Sequence, residues 1–456
     1  MKLSKSDVRR NTFALPRLRF EDQQLTSFSG LVVFQSLFAQ LGLKERLRRC
    51  FRHRDTGNTY APGQTTLLLI IHLLLGFRGL RESGFYADDP MVQRLVGWRQ
   101  IPDVSTLSRF LSRCGDRCVA GLRQLNRELI LDRLAALNLR RVTLDFDGSV
   151  IGTGRAAEGT AIGFNRKKKG QRSYYPLLCT VAQTGQVLDV LHRPGNVHDS
   201  RGAKDFMRRC ILRIRKALPK AILEVRIDGA FFSEEIVDLL VELDVEFTIS
   251  VPFRRFAQLK TMTEERRRWR HGASGLRYFE CRWKPKSWQR KLRFLFIRTE
   301  TKRRTKQPIQ LDLFVPFEYG YEFKVVVTNK RLSAKKAVAF HNGRGAQEAV
   351  FAELKSQTNL DYVPVRSLRG NQTYLLAAVL AHNLNRELQV ATRPPDRRTT
   401  EKRSPMWCFD QLTTIRRKFL LRAGRLTRPQ GGLTLTLSPN RSAKYEMLHY
   451  LDALAA

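Results

Sequence analysis

The chain is short of acid. Asp and Glu number 42 in 456 residues against 82 Lys and Arg, a formal charge of +40, far beyond what solubility requires. A partner that is itself basic is excluded, and a polyanion is expected. Long apolar runs are also missing: the longest, Leu67–Leu75, is broken by His72 and is too short to span a bilayer. It reads as a buried helix, so an anionic membrane is set aside as the partner. Cysteine is scarce, seven scattered residues and an odd count, which excludes a disulfide framework and suits the reduced thiols of a cytoplasm. Cys114 and Cys118 have no second pair nearby to complete a zinc site. No Gly-x4-Gly-Lys-Ser/Thr loop is present, so nucleotide hydrolysis is not indicated. The N-terminal MKLSKSDVRRN is basic but lacks the apolar stretch of an export signal. No internal repeat is found.

What is present is a hydrophobic share of 42%, enough for several packed cores. Residues 1–138 read as a helical region: apolar residues recur at helical spacing over Gly30–Leu47, over Thr65–Phe77 and from Val119 to Leu131. Pro102–Phe110 reads as a capped helix start with Asp103 or Ser105 as cap, and Ser105, Ser108 and Arg109 are its candidates for touching nucleic acid. From 139 the period changes to two. RVTLDFDGSVI (141–151), YYPLLCTVA (174–182) and QVLDVL (186–191) predict three strands of a meander; a helix over 204–217 and a fourth, parallel-type strand, AILEVRID (221–228), follow. A Ser233-capped helix comes next. This is an α/β core, assigned to 139–250.

Residues 251–329 break the rhythm. Between Glu264 and Gln307, sixteen Lys or Arg face four Glu, with Trp269, Trp283 and Trp288 among several interleaved aromatics. Charge for phosphates and rings for an unstacked base are what a nucleic-acid surface needs. Helix returns within 330–390, over Ser333–Leu354, where Gly343 and Gly345 are points of interruption, and over the apolar stretch Thr373–Leu388; 391–456 forms a basic C-terminal region with a Pro-containing linker at 392–405 and a tail in which Ile415–Leu426 reads as helix and Leu433–Leu437 as strand.

Within the first strand, Val142, Leu144 and Phe146 alternate with Thr143, Asp145 and Asp147, so both carboxylates lie on one face. Acids on a strand that otherwise reads as core call for a cation or a basic partner. Asp228 ends the fourth strand in the same way. In the late helical stretch His341, Arg344, Glu348 and Lys355 stand at offsets 0, 3, 7 and 14. On one continuous helix they share a stripe about 60° wide. Glu353 points away from that stripe, and Arg344 and Lys355 could hold phosphate oxygens. His192-x5-His198-Asp199 is a weak metal pattern and is read as structural.

This order of acids, basic insertion and helix resembles the DDE transposases of bacterial insertion sequences, whose helix signature is Tyr-x2-Arg-x3-Glu-x6-Lys. LDFDGSV, GFNRKKKGQRSYYPL, RPGNVHDS, RIDGAFF and HNGRGAQEAVFAELK more closely resemble insertion-sequence family 1380, within the wider family 4 group. The resemblance covers about residues 100–390 and departs at His341, where the family has Tyr. It implies an RNase H-like catalytic core, interrupted by the β-rich insertion at 251–329 and completed by 330–390. Asp147, Asp228 and Glu348 would bind two Mg²⁺ ions, with Mn²⁺ able to substitute. Asp145 is the alternative first acid. His341, Arg344 and Lys355 would contact DNA, as would Arg109 and a base-stacking Trp drawn from Trp269, Trp283 and Trp288. The implied activity is cut-and-paste transposition: cleavage of transposon ends and joining of their 3′ ends to target DNA. A homodimer on double-stranded DNA in a bacterial cytoplasm would perform it. The alternative is a transposase-derived DNA-binding protein without cleavage.

Overall fold

The computed structural model describes residues 15, 17–54, 59–154, 156–163, 165, 168–272, 275–300, 321–398 and 404–455. The helical region opens with α1 (Leu31–Gln40), α2 (Leu43–Cys50), α3 (Pro62–Leu75), α4 (Pro90–Val96), α5 (Val104–Ser112) and α6 (Asp116–Leu137). The local signals account for their ends. Asp89 and Asp103 cap α4 and α5 by accepting backbone N–H bonds, and Gly76 and Gly97 close α3 and α4 in left-handed geometry. The apolar run expected to be a buried helix is α3, covered on nearly every side, with His72 held by the Tyr86 hydroxyl at 2.8 Å. Among the described residues no single helix is long and apolar enough to cross a membrane. All seven thiols are free.

A mixed sheet forms the centre. Its core strands are β1 (Arg141–Gly148), β2 (Leu177–Val181), β3 (Gln186–Leu191), β4 (Ile222–Ile227) and β5 (Glu246–Val251), in spatial order β3-β2-β1-β4-β5. β2 and β3 run antiparallel to β1 as a meander; β1, β4 and β5 are parallel, which requires the crossovers through α7 (Ala203–Ala217) and α8 (Glu234–Glu242). The alternation in β1 sorts its side chains as expected. Val142, Leu144 and Phe146 enter a core beneath α7, where Phe146 meets Phe206 edge to face.

The strand-rich segment between the two parts of this core also lengthens its sheet. After α9 (Ala257–Glu264), β6 (Arg270–His271), β7 (Arg277–Trp283), β8 (Leu292–Glu300) and β9 (Tyr321–Thr328) are antiparallel, and β9 pairs with β5, so nine strands are continuous. Lys302, Arg303, Arg304 and Lys306 of its basic run lie outside the described residues.

Two helices then cover 333–354, divided where Gly343 and Gly345 signalled an interruption. α10 (Ala334–Asn342) and α11 (Gly345–Gln357) break at Gly343-Arg344, and they lie over the face of the sheet that carries Asp145. α12 (Leu368–Thr392) is longer than its apolar stretch predicted and is buried almost all round. Several of its polar side chains are held internally: Asn383 exchanges hydrogen bonds with the Val187 backbone and donates to Asn126, and Arg386 pairs with Glu353. The C-terminal region is no free tail. After α13 (Leu412–Ile415) comes a five-residue π-helical turn, and β10 (Gly424–Thr427) and β11 (Thr434–Leu437) then build a sheet with Leu25–Thr26. This π-helical turn and β10 stand where one helix, Ile415–Leu426, was expected. With α14 (Arg441–Ala455), these elements share one apolar core with α1, α3 and α12. Gly30 permits the closure, since a Cβ there would lie 2.4 Å from the Phe419 carbonyl oxygen.

Candidate active site

The two strand acids, Asp145 and Asp147, separate into a structural and a reactive one. β1 and β4 are parallel and in register from Arg141↔Ile222 to Phe146↔Ile227, so Asp145 lies beside Arg226. The two make a bidentate pair at 2.7 and 2.6 Å, and Asp145 is 1% exposed. Phe340 lies over the guanidinium and its carbonyl accepts a further bond from it. Asp145 is therefore corrected from alternative metal ligand to buried counter-ion, its carboxylate filled by Arg226. One register step on, Asp147 comes alongside Asp228 at the open, C-terminal ends of the two strands. There Asp147 accepts from the Gly148 N–H at 2.8 Å, and Asp228 accepts from the Ala230 N–H at 2.9 Å.

The helix break brings the third acid near. Gly343 packs on Arg226, where a Cβ would fall 2.2 Å from Nη1, so the chain turns at this point. Arg344, the residue after the turn, reaches Asp147 at 3.3 Å and Glu348 at 3.7 Å. Glu348 is on the first turn of α11 and its side chain is 70% exposed. Lys355, two turns later, donates to the Val150 carbonyl at 2.9 Å, just past β1. Arg344, Glu348 and Lys355 thus share the α11 side of the site.

His341 does not. The break moves it off the stripe: its ring is 1% exposed and wedged against β5, with Nε2 2.9 Å from the Ser250 hydroxyl and Nδ1 3.0 Å from that of Thr248. Burial pushes its pKa down to about 3, helped by Lys324, Arg344 and Arg226, so it is a neutral core peg rather than a DNA contact. His341→Ala is expected to destabilise the protein by about 1–3 kcal/mol through the two orphaned hydroxyls, with DNA affinity unchanged. Unchanged melting with weakened DNA binding would contradict this placement.

The three insertion tryptophans are corrected in the same way. Trp269, Trp283 and Trp288 are 9%, 9% and 8% exposed. Trp269 and Trp283 donate their indole N–H to the Arg266 carbonyl and to Gln258, and Trp288 lies 4.8 Å from the Phe232 ring. They belong to the apolar core that continues from the central sheet into the insertion, and none is presented as a platform for a base. Arg109 is exposed on α5, folded back on Ser105 and Thr106, at the surface of the helical region where a phosphate could meet it.

Electrostatics single out the acid pair. Burial pushes the Asp147 pKa up to about 7, Asp228 and Asp199 adding to the rise and Arg344 opposing it. Burial also raises Asp228, opposed by the Ala230 hydrogen bond and by Arg344. Such a pair holds a proton near neutrality unless another cation replaces it. Hard carboxylate oxygens of this kind fit a divalent ion such as Mg²⁺. Among the described residues no group of three or more Asp, Glu, His or Cys side chains is gathered closely enough to hold a metal ion. Arg344 stands between Asp147 and Glu348 and supplies the positive charge there.

A stability test follows from the sign. A folded pKa raised above the unfolded carboxylate value means that the folded state holds the proton more tightly. Stability from Asp147 is therefore complete below about pH 4 and is lost as pH rises through about 7. Without metal, wild-type melting temperature should fall between pH 5.5 and 8 more than that of Asp147→Asn, a difference worth on the order of a few kcal/mol. Mg²⁺ at pH 8 should restore it in wild type alone. Parallel pH profiles would show that Asp147 carries no such burden.

RPGNVHDS, read as a structural loop, brings Asp199 to this pair. Its signal in the sequence was the weak His192-x5-His198-Asp199 pattern, set aside as structural. Arg226 was legible in principle, since RID repeats the two-residue spacing of DFD.

An acid pair at the ends of adjacent parallel strands, with Arg344 and Glu348 against it, is the candidate active site. The chain belongs to the family described as transposase DDE domain group 1, which it matches over residues 16–456. No curated protein matches it. Among solved structures, the piggyBac transposase synaptic complex with hairpin DNA is distantly similar. The TM-score is 0.40 at 10% identity, over 78% of this chain and 74% of that one.

Proposed function

We propose that this protein is the DNA transposase of an insertion sequence resembling family 1380, cutting element ends and joining their 3′ ends to target DNA. The observation that carries the reading is the Asp147–Asp228 pair, set at the open ends of β1 and β4 with Arg344 and Glu348 against it. The strand order β3-β2-β1-β4-β5 supports an RNase H-like core, and the charge of +40 supports DNA as the partner. Asp147, Asp228 and Glu348 would hold two Mg²⁺ ions, or Mn²⁺ in their place. Bound there, the ions would supply an activated attacking oxygen and a stabilised leaving oxygen.

The chain's own residues do the rest. Arg344 offers a guanidinium beside Asp147, where it can turn from carboxylate to phosphate oxygens as DNA arrives. Glu348, exposed on the first turn of α11, is free to rotate inward. Lys355 fixes α11 against the end of β1 through Val150. The DNA-binding relic loses its one support, because His341 is a core residue and says nothing about cleavage. Incubating the protein with a labelled duplex carrying the element's end and a supercoiled target plasmid should yield joined 3′ ends, in complexes containing two protomers. Cleavage without any joined product would reduce the reading to a nuclease.

A further inference from the structure

We infer that Asp199 is a fourth carboxylate of this site, helping Asp147 to hold a divalent cation, with Arg193 and Tyr175 positioning it; this rests on the metal-dependent reading above. The loop carrying Asp199 joins β3 to α7 and is closed by one buried side chain. Arg193, 5% exposed, donates to the backbone carbonyls of Tyr175 at 3.0 Å, of Asp199 at 2.8 Å and of Arg201 at 3.0 Å, with a weaker bond to His198. Its guanidinium also lies 5.2 Å from the centre of the Tyr175 ring. So much fixed geometry spent on a surface loop needs a reason beyond closing the turn.

The reason is where the loop places its acid. A Cβ on Gly148, the residue after Asp147, would lie 2.6 Å from the Tyr175 hydroxyl and 2.9 Å from Asp199 Oδ1. Asp199 is thus seated directly against the chain that carries the first acid, and only glycine leaves room for it. The Tyr175 hydroxyl and Asp199 Oδ1 therefore crowd the same point beside Gly148. Oδ1 is buried and has no hydrogen-bond partner among the described residues; Arg193 Nη2 remains 3.8 Å from it. A carboxylate oxygen buried without a donor is costly, and Asp147 and Asp228 beside it add negative charge rather than relieve it. A hard cation between Asp147 and Asp199 satisfies all of them. Tyr175, packed against the same point of the chain, limits where the Asp199 carboxylate can turn.

The test is Mn²⁺ binding to the full chain without DNA, followed by the loss of the free-ion electron paramagnetic resonance signal. Asp199→Asn, Asp199→Glu, Tyr175→Phe and Asp147→Asn are compared with wild type, and melting in EDTA serves as the folding control. Removing a supporting ligand or its orienting partner typically weakens metal affinity about 10–100-fold. Asp199→Asn should fall in that range with unchanged melting in EDTA, Tyr175→Phe should lose less, and Asp199→Glu should retain most binding. Wild-type affinity in Asp199→Asn, alongside lost binding in Asp147→Asn, overturns the role of Asp199 and leaves the acid-pair reading standing. Should Asp199→Asn not fold, full affinity in Tyr175→Phe and a loss in Asp199→Glu as deep as in Asp147→Asn would overturn it. No Mn²⁺ binding by wild type overturns both.

Discussion

Alanine at Asp147, Asp228 or Glu348 is expected to lower metal-dependent cleavage of an end-bearing duplex by about a thousandfold or more, while each variant still binds that duplex. Loss of one carboxylate from a two-ion site removes several kcal/mol of charge stabilisation, and about 4 kcal/mol corresponds to three powers of ten in rate. The two strand acids should differ from the helix acid in another respect. Asp147 and Asp228 are buried, so their alanine variants relieve a charged pair and should melt no lower than wild type in EDTA. Glu348 is exposed, and its loss should leave melting unchanged. Single-turnover cleavage with a gel-shift control checks all three. Full activity in Glu348→Ala would remove α11 from the chemistry and leave only Arg344, the residue before that helix, beside Asp147.

Asp145→Ala should behave in the opposite way, with a large loss of stability. It leaves the Arg226 guanidinium buried without its counter-ion, and breaking such a pair from one side typically costs about 3–5 kcal/mol, a large part of the stability of an ordinary domain. The double variant Asp145→Leu with Arg226→Met should recover much of that loss, because no lone charge remains. Urea unfolding of the single and double variants checks it. Asp145→Ala with wild-type melting and no cleavage would make Asp145 the first acid and Asp147 the bystander.

The choice between Asp145 and Asp147 shows where sequence reading stops. Their two-residue spacing placed both on one face of β1, correctly, but only the pairing of β1 with β4 shows Arg226 beside one and Asp228 beside the other. Register between distant strands is not written in local periodicity. The helix stripe failed for a related reason. Glycines near 343 suggested an interruption, but the turn is fixed by contact with Arg226, and that contact is tertiary. His341 was assigned by its place in a motif, and the hydroxyls of Thr248 and Ser250 claim it instead. Basic and aromatic residues in the insertion were read as one surface, yet β7 and β8 pair so that Phe279 stacks on Phe296 while Trp269, Trp283 and Trp288 turn inward with them. The meander, the parallel fourth strand and the capped helices were legible because period and capping residues are local.

Asp199 was read as part of a structural loop because that loop carries no periodicity; its meaning comes from Gly148 and Tyr175, which meet it only in the folded chain. The C-terminal region was misread as a tail because its apolar residues are spaced among basic ones. Leu420, Leu426, Met447 and Tyr450 nonetheless close the core built by the N-terminal helices.

The most direct test is to incubate the wild-type protein with an end-labelled duplex of the element's own terminus, with Mg²⁺, with Mn²⁺ and with EDTA, and to map the products. The expected result is a cut at the element boundary leaving a 3′-hydroxyl, present with either ion and absent with EDTA. A duplex that is bound tightly but stays intact under both ions would contradict the assignment of Asp147, Asp228 and Glu348 as a cleavage site.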